Sequence, residues 1–453
     1  MSSVFSFDIM LVFGSLSILL LLGLLIRTKI KFFQNYFVPA CIIAGIIGLI
    51  FRELGVLIGL IPDGVLILET AVYHIFNITF ISLGLTSRDK KYKKSSLKNI
   101  TNMGLLIGSV AALQFVIGGI LVLIFNFFGY KLFPTFGFLV AMGFEEGPGQ
   151  ALSIGKTWEG FGFANASSIG LSFATLGFIF AIFIGVPLVS WAIRTGKITI
   201  SKNEISESFK KGIFSNNEDR EIAGSHTTHP ATLDSLSFHV AIIGFVYILT
   251  FGFLSILEMI SPSDIAEMYW GFFFIWGLLI AYIVRIVIEK IGIGYLLDRE
   301  LQGRITGWGV DFLVVAAITA ISIKVVIEYA APIFTIAIIV GVVTLLWIYY
   351  FGQKLWNKYK FERTAGLYGM ETGTVATGLM LIRIIDPEFK TPAATDLALS
   401  SFIALPLIFI MINLMNAPIL FGWSLGLTVL IFVIFLVLLT SIFVIFLKMR
   451  KNV

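Results

Sequence analysis

The sequence predicts an all-α polytopic membrane protein, and three observations carry that prediction. Hydrophobic residues make up 58% of the 453 residues and charged residues 13%, against about 45–50% and about 25% in an average soluble protein. The mean hydropathy is +0.97. Apolar runs of about 20 residues, the length that crosses the hydrocarbon core, recur along the chain. These values exclude a soluble globular enzyme, a disordered protein and a nucleic-acid module. The net charge of +5 would hint at nucleic acid in a soluble chain, but here it fits basic cytoplasmic loops. The single cysteine, Cys41, has no partner for an intramolecular disulfide and reads as a packed small side chain.

The first apolar run, 8–26, lacks a basic segment before it and is followed by Arg27, Lys29 and Lys31. That polarity is wrong for a cleaved signal, so it reads as a first transmembrane helix. Further spans are expected at 36–51, 65–85, 103–128 and 163–192. After a polar stretch come 236–257, 269–288, 308–328, 333–351, 395–414 and 421–447, giving about 11 transmembrane helices. Two other segments, 136–156 and 365–385, are semi-apolar, glycine-rich and carry carboxylates. They read as hairpins that leave the membrane on the side they entered.

Lysine and arginine set the orientation. With the N-terminus outside and both glycine-rich segments re-entrant, the 32 basic residues fall on or near the cytoplasmic side, except Arg52, Lys131, Lys156 and Lys324. Arg285 sits near a cytoplasmic helix end. The loop Arg88–Lys94 lands inside, as do Lys354, Lys358, Lys360, Arg363 and the tail Lys448–Lys451, while Glu258, Asp264 and Glu267 land outside. The C-terminus is therefore cytoplasmic. Residues 194–235, with six basic and six acidic residues, read as a cytoplasmic linker. His226 and His229 lie within it, and solvated loop histidines are the simpler account of that pair. The chain then divides into a first repeat (1–193), the linker (194–235), a second repeat (236–416) and an extra C-terminal helix (417–453).

The repeat is visible in the hairpins. Gly143-Phe144-Glu145-Glu146-Gly147 and Gly369-Met370-Glu371-Thr372-Gly373 share Gly-x-Glu-x-Gly, 226 residues apart. Upstream, Ile78-Thr79-Phe80-Ile81-Ser82 matches Ile318-Thr319-Ala320-Ile321-Ser322. Five helices precede the linker, so the second half starts on the opposite side and the repeat is inverted. Inverted repeats with interrupted helices facing one another near the midplane are a design of secondary transporters. Irregular backbone persists at that depth only where it is buried in protein or lines a cavity. The other reading of the motif is a turn at the membrane surface, against which stand its apolar flanks and its recurrence.

Several motifs resemble the sodium/glutamate symporter family. They are Tyr36-Phe37-Val38-Pro39, Ser82-Leu83-Gly84-Leu85, Gly162-Phe163-Ala164-Asn165-Ala166, Ala174-Thr175-Leu176-Gly177 and Gly185-Val186-Pro187. The resemblance implies two inverted five-helix repeats with opposed hairpins, elevator-type transport across the plasma membrane and a homodimer. It also implies Na+ as coupling ion and glutamate, an amino acid, as substrate. The hairpins depart from the family. Its first hairpin resembles Ser-Gly-Gly-His-Gly-Thr-Gly-Ala and its second Gly-Phe-Gly-Leu-Gly-Ala-Thr. Here three glutamates, Glu145, Glu146 and Glu371, stand in segments that are nearly uncharged in the typical member.

A carboxylate at the bilayer centre costs roughly 2.5–3.5 kcal/mol on insertion scales, so it persists where it has a partner or a task. Three tasks are open: Na+ coordination at Glu145 and Glu371, proton coupling, or pairing with a cationic or zwitterionic substrate. The substrate- and ion-binding candidates are Gly143, Glu145, Glu146, Gly147, Gln150, Asn165, Thr175, Gly369, Glu371, Thr372, Gly373, Thr374 and Thr377. Thr79, Ser82, Thr319, Ser322 and Asp396 are candidates to line the cavity, although Asp396 suits a helix cap equally well. Ser167, Ser168, Thr395 and Asn413 lie on the same helices. Arg383 is either a partner for a substrate carboxylate or a cytoplasmic anchor. No phosphate-binding Gly-x-x-x-x-Gly-Lys-Ser/Thr occurs, and no cofactor is expected. A channel and a membrane-embedded protease remain the rival classes.

Overall fold

The computed structural model describes residues 8–60, 65–86, 97–198, 207–214, 223–262, 268–386 and 391–451, with side chains described to 445. All regular structure among them is helical. The main helices are α1 (Asp8–Lys29), α2 (Ala40–Leu57), α3 (Leu66–Leu85) and α4 (Leu97–Phe127). Next come α5 (Leu139–Phe144), α6 (Pro148–Gly160), α7 (Ala166–Phe183), α8 (Gly185–Arg194) and α9 (Ser235–Ile260). They are followed by α10 (Phe273–Lys290), α11 (Arg299–Thr319), α12 (Ile323–Glu328) and α13 (Ala330–Leu355). The last five are α14 (Lys360–Glu371), α15 (Val375–Ile385), α16 (Ala393–Leu414), α17 (Ala417–Leu420) and α18 (Leu425–Lys451). Nine stretches among the described residues are long and apolar enough to cross a membrane: α1, α2, α3, α4, α7 with α8, α9, α13, α16 with α17, and α18. Their outer faces carry exposed leucine, isoleucine and phenylalanine, Leu21, Ile248 and Phe402 among them. The chain is a multi-pass membrane protein. The basic loop expected at 88–94, and the acidic Asp264 and Glu267, lie outside the described residues.

Two expected spans take a different form. The segment at 269–288 is helical as α10 and as apolar as several of the nine, but its 18 residues include three charged ones, Arg285, Glu289 and Lys290, gathered at its end. The span expected at 308–328 is not continuous. It divides into α11 and α12, with the break at Ala320–Ser322. Side chains from other helices satisfy the freed backbone groups, as a buried interruption requires. Arg52 of α2 donates from Nη2 to the Ile321 carbonyl at 2.7 Å and from Nη1 to that of Ala320 at 3.4 Å. The Ser168 hydroxyl accepts from the Ser322 N–H at 3.0 Å. Glu53, paired with Arg52, accepts from Ile323 N–H at 3.4 Å. A cation at a helix C-terminus also complements its dipole. Arg285 of α10 does the same for α3, donating to the Thr86 carbonyl at 2.6 Å.

The helices pack in two groups, each held by close backbone approach at small residues, the usual device of membrane helices. In the first group Gly23 of α1 meets Ala40 and Ala44 at the start of α2, Gly45 and Gly48 of α2 meet Ile318 and Thr319, and Gly84 of α3 meets Ala281 of α10. His239 ties α9 to α11, with Nδ1 2.6 Å from the Ser235 carbonyl and Nε2 accepting from Asp298 N–H at 2.8 Å. In the second group α4 is central. Its Gly104 meets Ile403 and the Ser400 carbonyl of α16, and Phe115 stacks on Phe432 of α18 at 4.6 Å. Gly118 of α4 and Gly137 lie so close that a Cβ on either would collide with the other's carbonyl oxygen. Backbone cannot move aside as a side chain can. Gly118→Val is therefore expected to destabilise the fold by about 1–3 kcal/mol or more, read as a lowered unfolding midpoint in detergent.

Candidate functional site

Each glycine-rich segment folds back on itself. In the first, a short 3-10 turn (Phe136–Phe138) and α5 run one way, Glu145-Glu146-Gly147 turns, and α6 returns. Both ends come to the Phe163 ring, with Phe136 at 5.9 Å and Trp158 at 6.3 Å between centroids. Gly147 has φ +86°, a conformation that a side chain resists, and Pro148 at the first helical position ends the turn. The return arm runs to Gly160, past the expected 156, and Trp158 anchors it by donating to the Asn416 side chain at 2.7 Å.

In the second segment α14 and α15 lie antiparallel and turn at Thr372-Gly373-Thr374. Gly366 and Gly369 of α14 receive Gly378 of α15 at backbone contact, which fixes the pairing. This hairpin begins at Lys360, five residues before the sequence pattern placed it. Arg363, read from sequence as one of a cluster of cytoplasmic basic residues, is instead 2% exposed. Its Nε and Nη2 each lie 2.6 Å from Asp396 Oδ2, and its Nη1 donates to the Lys358 carbonyl at 2.6 Å. Asp396 thus fixes the base of the second hairpin to α16, at the opposite end of α14 from the Thr372-Gly373-Thr374 turn.

The two turns face each other. A Cβ on Gly147 would lie 3.4 Å from Thr374 Cγ2, and one on Gly177 of α7 would lie 2.5 Å from the Thr372 carbonyl. This brings Glu145, Glu146 and Glu371 within electrostatic range of one another. Glu145 and Glu371 are buried, and Glu146 is half-buried. Glu145 Oε1 and both carboxylate oxygens of Glu371 are buried without a hydrogen-bond partner. Gln150, one turn into α6, donates to Glu146 Oε2. The Thr372 hydroxyl donates to the Tyr368 carbonyl at 2.7 Å, and the hydroxyls of Thr374 and Thr377 share a bond at 3.2 Å. Thr175 sits half-buried near the tips and bonds back to Leu171 at 3.0 Å. Gly143 is a packing glycine against Ala174, and Gly369 one against Gly378.

Other candidates lie elsewhere. Asn165 is exposed at the start of α7, with φ +62°, about 18 Å along the helix from Gly177. Thr79 packs on Gly309 and Thr319 on Gly48, so these repeated threonines serve helix packing in the first group. Ser82 bonds the Gln302 side chain at 2.7 Å, and Ser322 caps α12. Arg383 lies over the Phe209 ring at 5.5 Å, at the far end of α15. The sequence reading missed Gln114, which donates to the Glu371 carbonyl at 3.0 Å and to the Thr344 hydroxyl at 3.3 Å. Its signal was a lone amide in the middle of the long apolar helix α4. It also missed Glu69 of α3, buried and paired with Lys156 at 2.8 Å, with Ser167 donating to it at 2.9 Å.

A multi-pass helical protein whose two interrupted hairpins meet at buried carboxylates has the build of a membrane transporter. Residues 5–391 match the sodium/glutamate symporter family, and the chain belongs to it. That family consists of transporters, so the chain is not an enzyme. No curated protein matches the chain.

Proposed function

We propose that the chain is a secondary active transporter that couples Na+ entry to uptake of an amino acid or related carboxylate across the plasma membrane. The family name points to glutamate as substrate. The meeting of Glu145, Glu146 and Glu371 at the facing tips carries this reading, because the buried, unpartnered oxygens of Glu145 and Glu371 call for a cation or a proton. Na+ fits the donor set of carboxylate, amide and hydroxyl oxygens. Protons in its place form the second reading, which the same unpartnered oxygens favour. Export of a cationic substrate would use the same groups.

The packing supports an elevator in which the hairpin-bearing group slides against the first group. At the boundary Phe76 lies on Gly149, Gly271 meets Thr157, Lys156 pairs with Glu69 and Ser322 bonds Ser168. An inverted repeat is supported by the reciprocal arginines. Arg52 of α2 closes the end of α11 in the second half, and Arg285 of α10 closes the end of α3 in the first. The distribution of basic residues supports an outside N-terminus and a cytoplasmic C-terminus. The family supports a homodimer.

In proteoliposomes an inward Na+ gradient is expected to drive saturable uptake and counterflow. Conductance that does not saturate and shows no counterflow would establish the channel instead.

A further inference from the structure

The unpartnered side-chain oxygens of Glu145, Glu371, Gln114 and Gln150 at the tips are all acceptors. The amide nitrogens of Gln150 and Gln114 are both used, the first on Glu146 Oε2 and the second on the Glu371 carbonyl and the Thr344 hydroxyl. Those acceptors fix which end of each amide is oxygen. Gln114 Oε1 and Gln150 Oε1 are left without partners, on side chains that are 0% and 2% exposed. With Glu145 Oε1 and both oxygens of Glu371 they make five buried acceptors. The basic side chains of the hairpins act away from the tips: Lys156 on Glu69 and Glu159, Arg363 on Asp396, and Arg383 over Phe209.

The same turns also start two helices. The 13-residue α6 begins at Pro148 and the 11-residue α15 at Val375, and neither Gly147 nor Thr374 caps its helix with a side-chain bond. Pro148 has no N–H, so the free N–H groups of α6 begin at Gly149 and those of α15 at Val375; they lie beside the acceptor cluster, without intrahelical partners and at the positive ends of their dipoles. Such a terminus takes a carboxylate.

A ligand that satisfies both features carries an ammonium group and a carboxylate on neighbouring atoms. We infer that the substrate is a zwitterionic α-amino acid with an uncharged side chain, its ammonium on the Glu145, Glu371, Gln114 and Gln150 oxygens and its carboxylate on the starts of α6 and α15. This rests on the reading of the tips as the substrate site. A second carboxylate on the ligand would add negative charge beside three glutamates, and none of the described basic side chains of the hairpins lies at the tips to meet it.

L-Glutamine and L-glutamate differ in shape only at the side-chain end, so they isolate that charge. Half-maximal thermal stabilisation of the purified full-length protein in NaCl is expected at a concentration at least ten-fold lower for L-glutamine than for L-glutamate. N-Acetyl-L-glutamine, which lacks the ammonium, is expected to stabilise at least ten-fold more weakly than L-glutamine. Equal or tighter binding of L-glutamate, or of the N-acetyl compound, would overturn the inference. Glu146→Gln changes a half-buried side chain and, with an unshifted ligand-free midpoint, is expected to narrow the glutamine-to-glutamate ratio. An unchanged ratio in a folded variant would overturn the electrostatic account. Preferential Na+-driven uptake of L-glutamate would leave the transporter standing and sink the inference. Absence of gradient-driven uptake, with L-glutamine binding intact, would sink the transporter reading alone.

Discussion

Arg363→Ala is expected to destabilise the protein by about 3–5 kcal/mol, because it takes from the buried carboxylate of Asp396 the guanidinium whose two nitrogens Oδ2 accepts from. Both residues are almost fully enclosed, at 2% and 0% exposure, and the carboxylate oxygen accepts from two guanidinium nitrogens at 2.6 Å. The loss also frees the base of the second hairpin from α16, since Arg363 lies in the first turns of α14. The companion variant separates charge from packing. Arg363→Met combined with Asp396→Leu removes both charges and keeps the volume, and is expected to recover most of the loss. Unfolding midpoints in detergent for the single and double variants check this. A single-variant loss below about 1 kcal/mol would mean the pair is weak, as exposed pairs are.

The second large effect falls on transport. Glu145→Gln and Glu371→Gln are each expected to cut Na+-driven uptake more than ten-fold or to change its dependence on Na+ and pH. The sign on stability is opposite. Glu371 is fully buried with neither carboxylate oxygen partnered, so an amide in its place removes the cost of a charge without a counter-ion. The ligand-free variant is then expected to melt at the wild-type temperature or above while its transport falls. That is the signature of a residue kept for function at some expense of stability. Unchanged uptake in both variants, with unchanged Na+ and pH dependence, would remove the hairpin glutamates from the mechanism.

The parts legible in the sequence are those written in charge against an apolar background. Glu145 and Glu371 stood out because a carboxylate in an apolar glycine-rich segment demands a reason. The turns at Gly147 and Gly373 were legible with them. Gln114 was harder to see, because an uncharged amide barely disturbs the hydropathy of a 31-residue helix, and its partner at Glu371 is 257 residues away. The break at Ala320–Ser322 left only a weak local trace, the serine cap at Ser322, for a related reason. The segment is as apolar as a span, and what ends α11 there is Arg52, 268 residues distant in the chain. Arg363 looked like one more cytoplasmic cation beside Lys358 and Lys360, and only the approach of α16 turns it inward. The repeated threonines misled in another way. Thr79 and Thr319 recur between the halves because each seats against a glycine of a neighbouring helix. A repeat preserves packing as well as it preserves a site.

We propose that the facing hairpin tips bind substrate and cation together. The most direct test is the unfolding midpoint of the purified protein with an amino acid, in NaCl and in choline chloride, for wild type and for Glu371→Gln. A ligand at about 100 times its dissociation constant adds roughly 2.7 kcal/mol to the native state. An upward shift is expected for wild type in NaCl, little or none in choline chloride, and loss of the shift in a Glu371→Gln variant that melts normally without ligand. A full shift in the variant, with wild-type dependence on Na+, would place the binding site elsewhere.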